Sequence, residues 1–316
     1  MKLQTQLNIP EQEPKISYKS KLLLLGSCFT ENIGEKFVYF KFRHVQNPFG
    51  ILFHPFAIEN LIVKAVRQKE FTEKDIFQYN QNWHSFEAHS RLSQPRPEAI
   101  LKALNGGITQ THKAIQESSH LIISLGTAFI YQHLESKNYV ANCHKVPQKE
   151  FRKELISAQR VYKSLENIIA SCRTLNPDLQ FIFTVSPVRH AKDGLVQNNR
   201  SKAQLISAIH EVIDQKEKAA YFPSYELLLD ELRDYRFYTQ DMLHPNTTAI
   251  QYIWEKFTQT WLAKEAIPTM KKVDALQRNL QHKAFNPQSE AHQKFLQKLK
   301  EQKAELKTQF PFMNFS

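Results

Sequence analysis

Short, almost wholly apolar runs alternate along this chain with longer segments whose apolar residues recur every three or four positions. The runs predict buried strands, namely KLLLLG at 21–26, HLIISLGTAF at 120–129, LQFIFTVSP at 179–187 and a shorter one at 219–223. The longer segments predict helices over 30–40, 57–68, 97–117, 151–173, 201–215 and 247–262. Because strands and helices alternate, we expect an α/β fold with a mostly parallel sheet and helices on both faces.

The segment KLLLLGSCFT at 21–30 is the clearest of these patterns. Four leucines precede Gly26, and Ser27 and Cys28 follow it where the first predicted helix begins. Open α/β sheets bind ligands at the carboxyl ends of their strands, and a helix N-terminus lowers the pKa of a thiol. The sequence therefore predicts a reactive position at Ser27 and Cys28.

The pattern divides the chain into three parts. An extended lead-in covers residues 1–20, and the α/β domain covers 21–264 with an aromatic, loop-rich insertion at about 43–95. Residues 265–316 are helical, basic and rich in glutamine. Leucines recur there at the spacing of a coiled-coil seam, but a lysine interrupts the pattern. We expect this extension to be an arm that packs on the body or on a protein partner.

The net charge is +11, and the C-terminal extension carries much of the excess. A basic tail can contact nucleic acid or an anionic membrane surface. No interleaving of basic and aromatic residues accompanies it, so we expect a solvated helical face and no nucleic-acid partner.

The three cysteines, Cys28, Cys143 and Cys172, are too few and too scattered for a disulfide framework or a zinc site. The N-terminal segment lacks the apolar core of a signal peptide, and no apolar run reaches transmembrane length. We therefore expect a cytoplasmic protein without a membrane span, a metal or a cofactor.

Asp241 and His244 form a D-x-x-H step in DMLHPN, directly before a predicted helix. In such a turn the carboxylate can accept a hydrogen bond from one ring nitrogen and leave the other facing a nucleophile, which is how a general base is oriented. The alternative is a turn in which Asp241 caps backbone amides and His244 is merely exposed.

Several blocks of this sequence resemble one known family. GSCFT, NPFGILFHP, HSRLS, NCHKVP, VSPVRH, SKAQL and DMLHPN follow in order between residues 22 and 261 and resemble the bacterial GSCFA family, which is placed in the SGNH hydrolase superfamily. The resemblance does not extend to the tail. It implies a three-layer, flavodoxin-like α/β domain that hydrolyses or transfers an ester-linked acyl group.

The resemblance also implies roles for the reactive residues. His244 would be the base and Asp241 its orienting carboxylate. Cys28 falls where the superfamily has its serine nucleophile, and Ser27 takes that role if the turn is shifted by one residue. A third alternative is a Cys28 that is packed under the helix and does no chemistry.

The superfamily's oxyanion hole uses the nucleophile's own amide, a glycine and the asparagine of a G-x-N block. Gly50 matches the glycine, but the block that begins at Gly126 has Ala128 in place of the asparagine. The residues that could replace this amide donor are Asn47, Asn142 and His144. The alternative for the two asparagines is local turn formation, and the alternative for His144 is an exposed, inactive side chain.

Basic side chains in two other blocks are candidates for substrate binding. His89 and Arg91 in HSRLS, and Arg189 and His190 in VSPVRH, could bind a carboxylate or a sugar-linked anion. The alternative for the two arginines is a structural salt bridge. We expect an esterase or acyltransferase for an O-acylated sugar. A catalytically degenerate protein that binds a ligand or partner is the alternative, which Ala128 favours and the D-x-x-H step disfavours.

Overall fold

The computed structural model describes residues 4–282 and 288–315. The strands, in chain order, are β1 (Lys21–Gly26), β2 (Arg43–Gln46), β3 (Phe77–Tyr79), β4 (Asn82–His84), β5 (His120–Leu125), β6 (Phe129–His133), β7 (Tyr139–Val140), β8 (Phe151–Leu155), β9 (Gln180–Val185) and β10 (Ala219–Tyr221). The helices are α1 (Cys28–Tyr39), α2 (Pro55–Val66), α3 (Pro97–Glu117), α4 (Ala158–Arg173), α5 (Leu195–Gln215), α6 (Ser224–Glu226), α7 (Thr247–Trp261), α8 (Ala266–Leu280) and α9 (Glu290–Gln309).

Five strands pair in parallel to form the central sheet, in the order β10-β9-β5-β1-β2. After β1 the chain forms β2 on one side, and then crosses to the other side for β5, β9 and β10. This order is that of flavodoxin-like folds, in which ligands bind where the direction of winding reverses. The reversal lies between the carboxyl ends of β1 and β5.

Alternate residues of the sheet face two separate hydrophobic cores. Leu23 and Leu25 pack in a core with helices α2 to α5, whereas Leu22 and Leu24 pack on the other face with α1, α7 and α8. Strands buried on both faces are nearly continuous apolar runs, which explains the four consecutive leucines of β1. The three-layer α/β architecture predicted from the sequence is confirmed.

The structure differs from the predicted elements at two places. Residues 43–46, expected to be loop, form the edge strand β2, whose mixed composition fits its half-buried position. Residues 151–155, expected to begin a helix, form β8, which pairs antiparallel with β6 while β7 pairs with the other edge of β6. Phe151 of β8 is buried in the insertion's own small core, so tertiary packing outweighs the local helical pattern.

The C-terminal helices pack on the face of the sheet that α1 and α7 cover. Leu299, Leu306, Met313 and Phe315 are buried in the same core as Phe42. Residues 1–3 of the expected lead-in, and residues 283–287 and 316 of the expected arm, lie outside the described residues. Across 4–282 and 288–315, none of the helices combines the length and the apolar composition needed to cross a bilayer.

Gly26 provides a test of the sheet's packing at the reversal point. Its φ is +132°, and a Cβ there would lie 2.1 Å from the carbonyl oxygen of Ser124. We predict that Gly26→Ala lowers the free energy of unfolding by at least about 2 kcal/mol, measured by urea denaturation. The control is Gly106→Ala in α3, where a Cβ meets nothing within 4 Å. This substitution should raise the free energy of unfolding by about 0.5–1 kcal/mol. Equal stabilities of the two variants would contradict this account.

Candidate active site

The turn between β1 and α1 places Ser27 and Cys28 in different surroundings. Ser27 precedes the first residue of α1 and is 0% exposed, and its hydroxyl lies 2.9 Å from the Ser124 hydroxyl at the end of β5. Cys28 is half-buried, and the backbone amides of Cys28 and Phe29 favour the ionised form of its thiol. The serine hydroxyl is therefore engaged inside the fold, whereas the thiol lies at the helix N-terminus.

The expectation of a lowered Cys28 pKa is wrong. Burial raises the pKa of the Cys28 thiol above its ordinary value of 9.0, and the two amides and the Lys202 charge only partly offset this effect. Desolvation of the thiolate thus outweighs the favourable field of the helix N-terminus. At neutral pH the thiol carries its proton, and a nucleophilic Cys28 needs a base.

Asp241 and His244 form the arrangement that such a base requires. His244 Nδ1 lies 2.6 Å from Asp241 Oδ2, while Asp241 Oδ1 accepts from the Thr239 hydroxyl at 2.6 Å and from the amides of Leu243 at 2.8 Å and His244 at 3.0 Å. These donors hold the pKa of Asp241 well below its usual range. Asp241 thus both caps the turn and orients the imidazole. Within the described residues no hydrogen bond engages His244 Nε2, and the side chain is 46% exposed.

Three loops, each following a strand of the central sheet, contact one another or the D-x-x-H turn. The amide of Arg189, after β9, donates to the Leu243 carbonyl at 3.1 Å and so joins the VSPVRH loop to the D-x-x-H turn. Gly126, directly after β5, packs against the main chain of Phe53 and the ring of His190. Burial, with the positive charge of Lys202, lowers the pKa of His190 to about 4, so this ring is neutral at pH 7.

Lys202 of α5 is a buried amine that sequence reasoning did not single out. Its Nζ donates to the carbonyls of Gly126 and Ser186, each at 2.7 Å, and so links the ends of β5 and β9. Burial lowers its pKa to about 7, and the charges of Lys202 and Cys28 interact. The spacing of α5's buried residues, which include Lys202 and Leu205, is the signal that places this lysine on the inner face.

The predicted oxyanion donors have different environments. Asn47 Oδ1 accepts from the Gly26 amide at 2.9 Å, while its buried Nδ2 has no partner among the described residues. Gly50 has a φ of +70°, and its amide donates to the Asn47 carbonyl at 2.7 Å. The Asn47 side chain is therefore the available donor of the two. Ala128 is wholly buried, and its amide donates to the Ser201 hydroxyl at 2.7 Å.

Asn142 and His144 lie in the loop that follows β7. Asn142 Oδ1 accepts from the His144 amide at 2.8 Å, which is a local turn contact. His144 is buried rather than exposed, with Nε2 2.7 Å from the Ser85 carbonyl and its ring beside that of His84. Burial lowers the pKa of His144 to about 4. His144 thus packs against the insertion.

The basic residues predicted to bind substrate differ in whether they already have partners. Arg91 pairs with Glu31 of α1 at 2.5 Å, and His89 accepts from the Arg91 amide at 3.3 Å, so both brace the loop against the helix. Within residues 4–282 and 288–315, Arg189 has no carboxylate within 4.0 Å. Burial raises the pKa values of Tyr225 and Tyr238, and the Arg189 charge opposes this shift. Arg189 is therefore the guanidinium that remains free for an anionic ligand.

We predict that alkylation of Cys28 by iodoacetamide reaches half its maximal rate above pH 9, because only the thiolate reacts and burial raises its pKa. Peptide mass mapping gives the rate for each cysteine, and the wholly buried Cys172 is the internal control that stays unlabelled. A Cys28 midpoint below pH 8 would contradict the account.

Comparisons with known proteins identify the family. The GSCFA family model matches residues 21–257, and a model described as the C-terminal domain of GSCFA domain proteins matches 273–316, so the tail lies within the family resemblance after all. A search of curated proteins finds no match.

Two solved structures show a remote similarity to this chain. The first is a carbohydrate esterase family 3 protein from Talaromyces cellulolyticus, which is 11% identical with a TM-score of 0.36; the match covers 80% of this chain and 98% of the esterase chain. The second is an acetyl esterase mutant with an acetate ion, which is 10% identical with a TM-score of 0.34; the match covers 80% of this chain and 99% of the esterase chain. The family model matches well over half of the chain, which therefore belongs to the GSCFA family.

Proposed function

We propose that this protein hydrolyses or transfers an ester-linked acyl group, with Cys28 as nucleophile, His244 as general base and Asp241 as the carboxylate that orients it. The observation that carries the proposal is the 2.6 Å contact between His244 Nδ1 and Asp241 Oδ2. With Nδ1 donating to the carboxylate, Nε2 of the neutral ring is an acceptor. The turn that holds this ring is tied to the loop after β9, at the sheet edge where Cys28 lies.

The raised pKa of Cys28 favours base-assisted attack over a preformed thiolate. His244 Nε2 takes the thiol proton as Sγ bonds to the ester carbonyl carbon, and the carbonyl becomes an oxyanion. Collapse of this intermediate breaks the bond to the alcohol oxygen, which receives the proton from His244. Water or a second hydroxyl then attacks the thioester with His244 again as base, releasing an acid or a new ester and restoring the thiol.

Hydrogen-bond donors near Cys28 suit an oxyanion. The amides of Cys28 and Phe29 favour the ionised thiol, and Asn47 Nδ2 is buried and unpaired within the described residues. Asn47 then supplies the side-chain amide that Ala128 lacks. Gly50 is the weaker candidate because using its amide would break its bond to the Asn47 carbonyl. Donors of this kind contribute several kcal/mol to the transition state.

Cys28 is preferred to Ser27 because the serine hydroxyl is wholly buried and hydrogen-bonded to the Ser124 hydroxyl.

For the substrate we propose an O-acylated sugar, with Arg189 as the side chain that contacts an anionic group on it. A degenerate ligand-binding site is the second candidate, and the absence of any side-chain donor at Ala128 favours it. Turnover measurements separate the two candidates.

We predict that wild-type protein hydrolyses p-nitrophenyl acetate, and that Cys28→Ala and His244→Ala lower kcat/KM by about 10³-fold or more. Asp241→Asn should lower kcat by about 10²–10⁴-fold, since an uncharged amide holds the imidazole poorly. The matched control is Asp234→Asn, an exposed cap of the preceding turn that pairs with Arg236. Its kcat/KM should stay within about twofold of wild type.

Wild-type-like turnover in Asp241→Asn or Cys28→Ala would overturn the proposed site. A folded wild-type protein that hydrolyses no activated ester, but binds O-acetylated sugars, would instead support the degenerate binding protein.

A further inference from the structure

A cavity of about 210 Å³ lies between the sheet edge and the insertion. Its floor comes from residues that follow central strands, Thr127 after β5 and His190 after β9. Its walls come from strands β6 and β7, from the loop that follows β7 and from the loop before α2. The lining residues that matter here are Phe53, Phe129, Tyr131, Ala141, Cys143 and His190. Strands β6 and β7 thus form a pocket with the loops that follow β5 and β9.

The walls of this cavity are aromatic and held in place. Lys153 Nζ lies 4.6 Å from the centre of the Phe129 ring and 5.4 Å from that of Tyr131, and the same amine pairs with Asp193. The Phe53 ring contacts His190 edge to face, with centroids 5.8 Å apart. Rings fixed by such contacts form a pocket before any ligand arrives, and they favour a flat aromatic group.

The size and the polarity of the cavity also favour an aromatic group. An apolar cavity of about 150 Å³ already accommodates a benzene ring, so 210 Å³ exceeds what an acetyl group fills. The Nε2 atom of His190 is buried and has no partner among the described residues. Because the ring is neutral at pH 7, it adds no charge to the cavity.

The cavity adjoins the proposed catalytic residues through His190. This ring packs on Gly126, whose carbonyl accepts from Lys202, and the charges of Lys202 and Cys28 interact. A group bound in the cavity therefore contacts the loops after β5 and β9, which also hold Gly126 and Arg189 of the candidate site.

We propose that this cavity binds the acyl portion of the substrate and that this portion is aromatic, of about the size of a benzoyl group. The inference rests on the proposed function for its link to catalysis, but occupancy of the cavity can be tested without turnover, because Cys143 lines the cavity and is a free, half-buried thiol.

The first measurement is the rate of Cys143 modification by methyl methanethiosulfonate at pH 9, read by peptide mass mapping, with sodium benzoate or sodium acetate as the probe. Benzoate at ten times its Kd should slow the reaction about tenfold, and acetate at the same concentration should leave it unchanged. In Ala141→Phe, which fills the cavity, benzoate should no longer protect. The control is Ala304→Phe, at an exposed position of α9, in which protection should persist.

The second measurement is kcat/KM for p-nitrophenyl benzoate relative to p-nitrophenyl acetate. Ala141→Phe should lower this ratio at least about tenfold, whereas Ala304→Phe should not change it. Protection by benzoate without hydrolysis of either ester would support the pocket and overturn the proposed catalytic function. Hydrolysis without protection, and with an unchanged ratio in Ala141→Phe, would overturn the pocket and leave the catalytic function standing.

Discussion

The contact between Gly26 and the main chain of Ser124 is the constraint on which the candidate site depends. A side chain at Gly26 would overlap the Ser124 carbonyl, so only glycine lets β1 and β5 close where the winding reverses. The Gly26 amide is held by Asn47 Oδ1, and the Ser27 amide donates to the Ser124 carbonyl at 2.9 Å. These bonds fix the residue at which α1 begins, and with it the position of Cys28. The Cys28 thiol is thereby placed by backbone geometry.

A second constraint is the burial of Lys202 behind the same edge. An amine enclosed by the protein requires acceptors, and the carbonyls of Gly126 and Ser186 supply them. Its enclosure also indicates how little water reaches this region, where burial raises the pKa of Cys28 and lowers that of His190. These surroundings fit the proposed mechanism, in which neutral reactants exchange a proton as the bond forms and the half-exposed His244 is the proposed base.

The sequence predicts the central fold because its strands are buried on both faces and its helices are amphipathic. The apolar runs of β1, β5 and β9 correspond to strands of the structure, and the D-x-x-H step corresponds to a real contact between Asp241 and His244. Elements stabilised by tertiary contacts are not visible in local patterns, which is why the edge strand β2 and the paired strand β8 were missed. The Cys28 pKa was predicted in the wrong direction because spacing reveals the helix N-terminus but not the burial around it. The environment of Lys202 likewise depends on two loops that are distant in sequence.

The most direct test of the central claim is to trap the acyl group on the protein. Wild-type protein and His244→Ala would be mixed with p-nitrophenyl acetate, quenched in acid within the first turnover, digested and mapped by mass spectrometry. The account predicts a hydroxylamine-labile acetyl group on the peptide that carries Cys28 in the wild type, and on Cys28 rather than Ser27 when that peptide is fragmented. The His244→Ala variant should accumulate far less of it. Turnover with the acetyl group on Ser27, or equal acetylation of Cys28 in both proteins, would contradict the account.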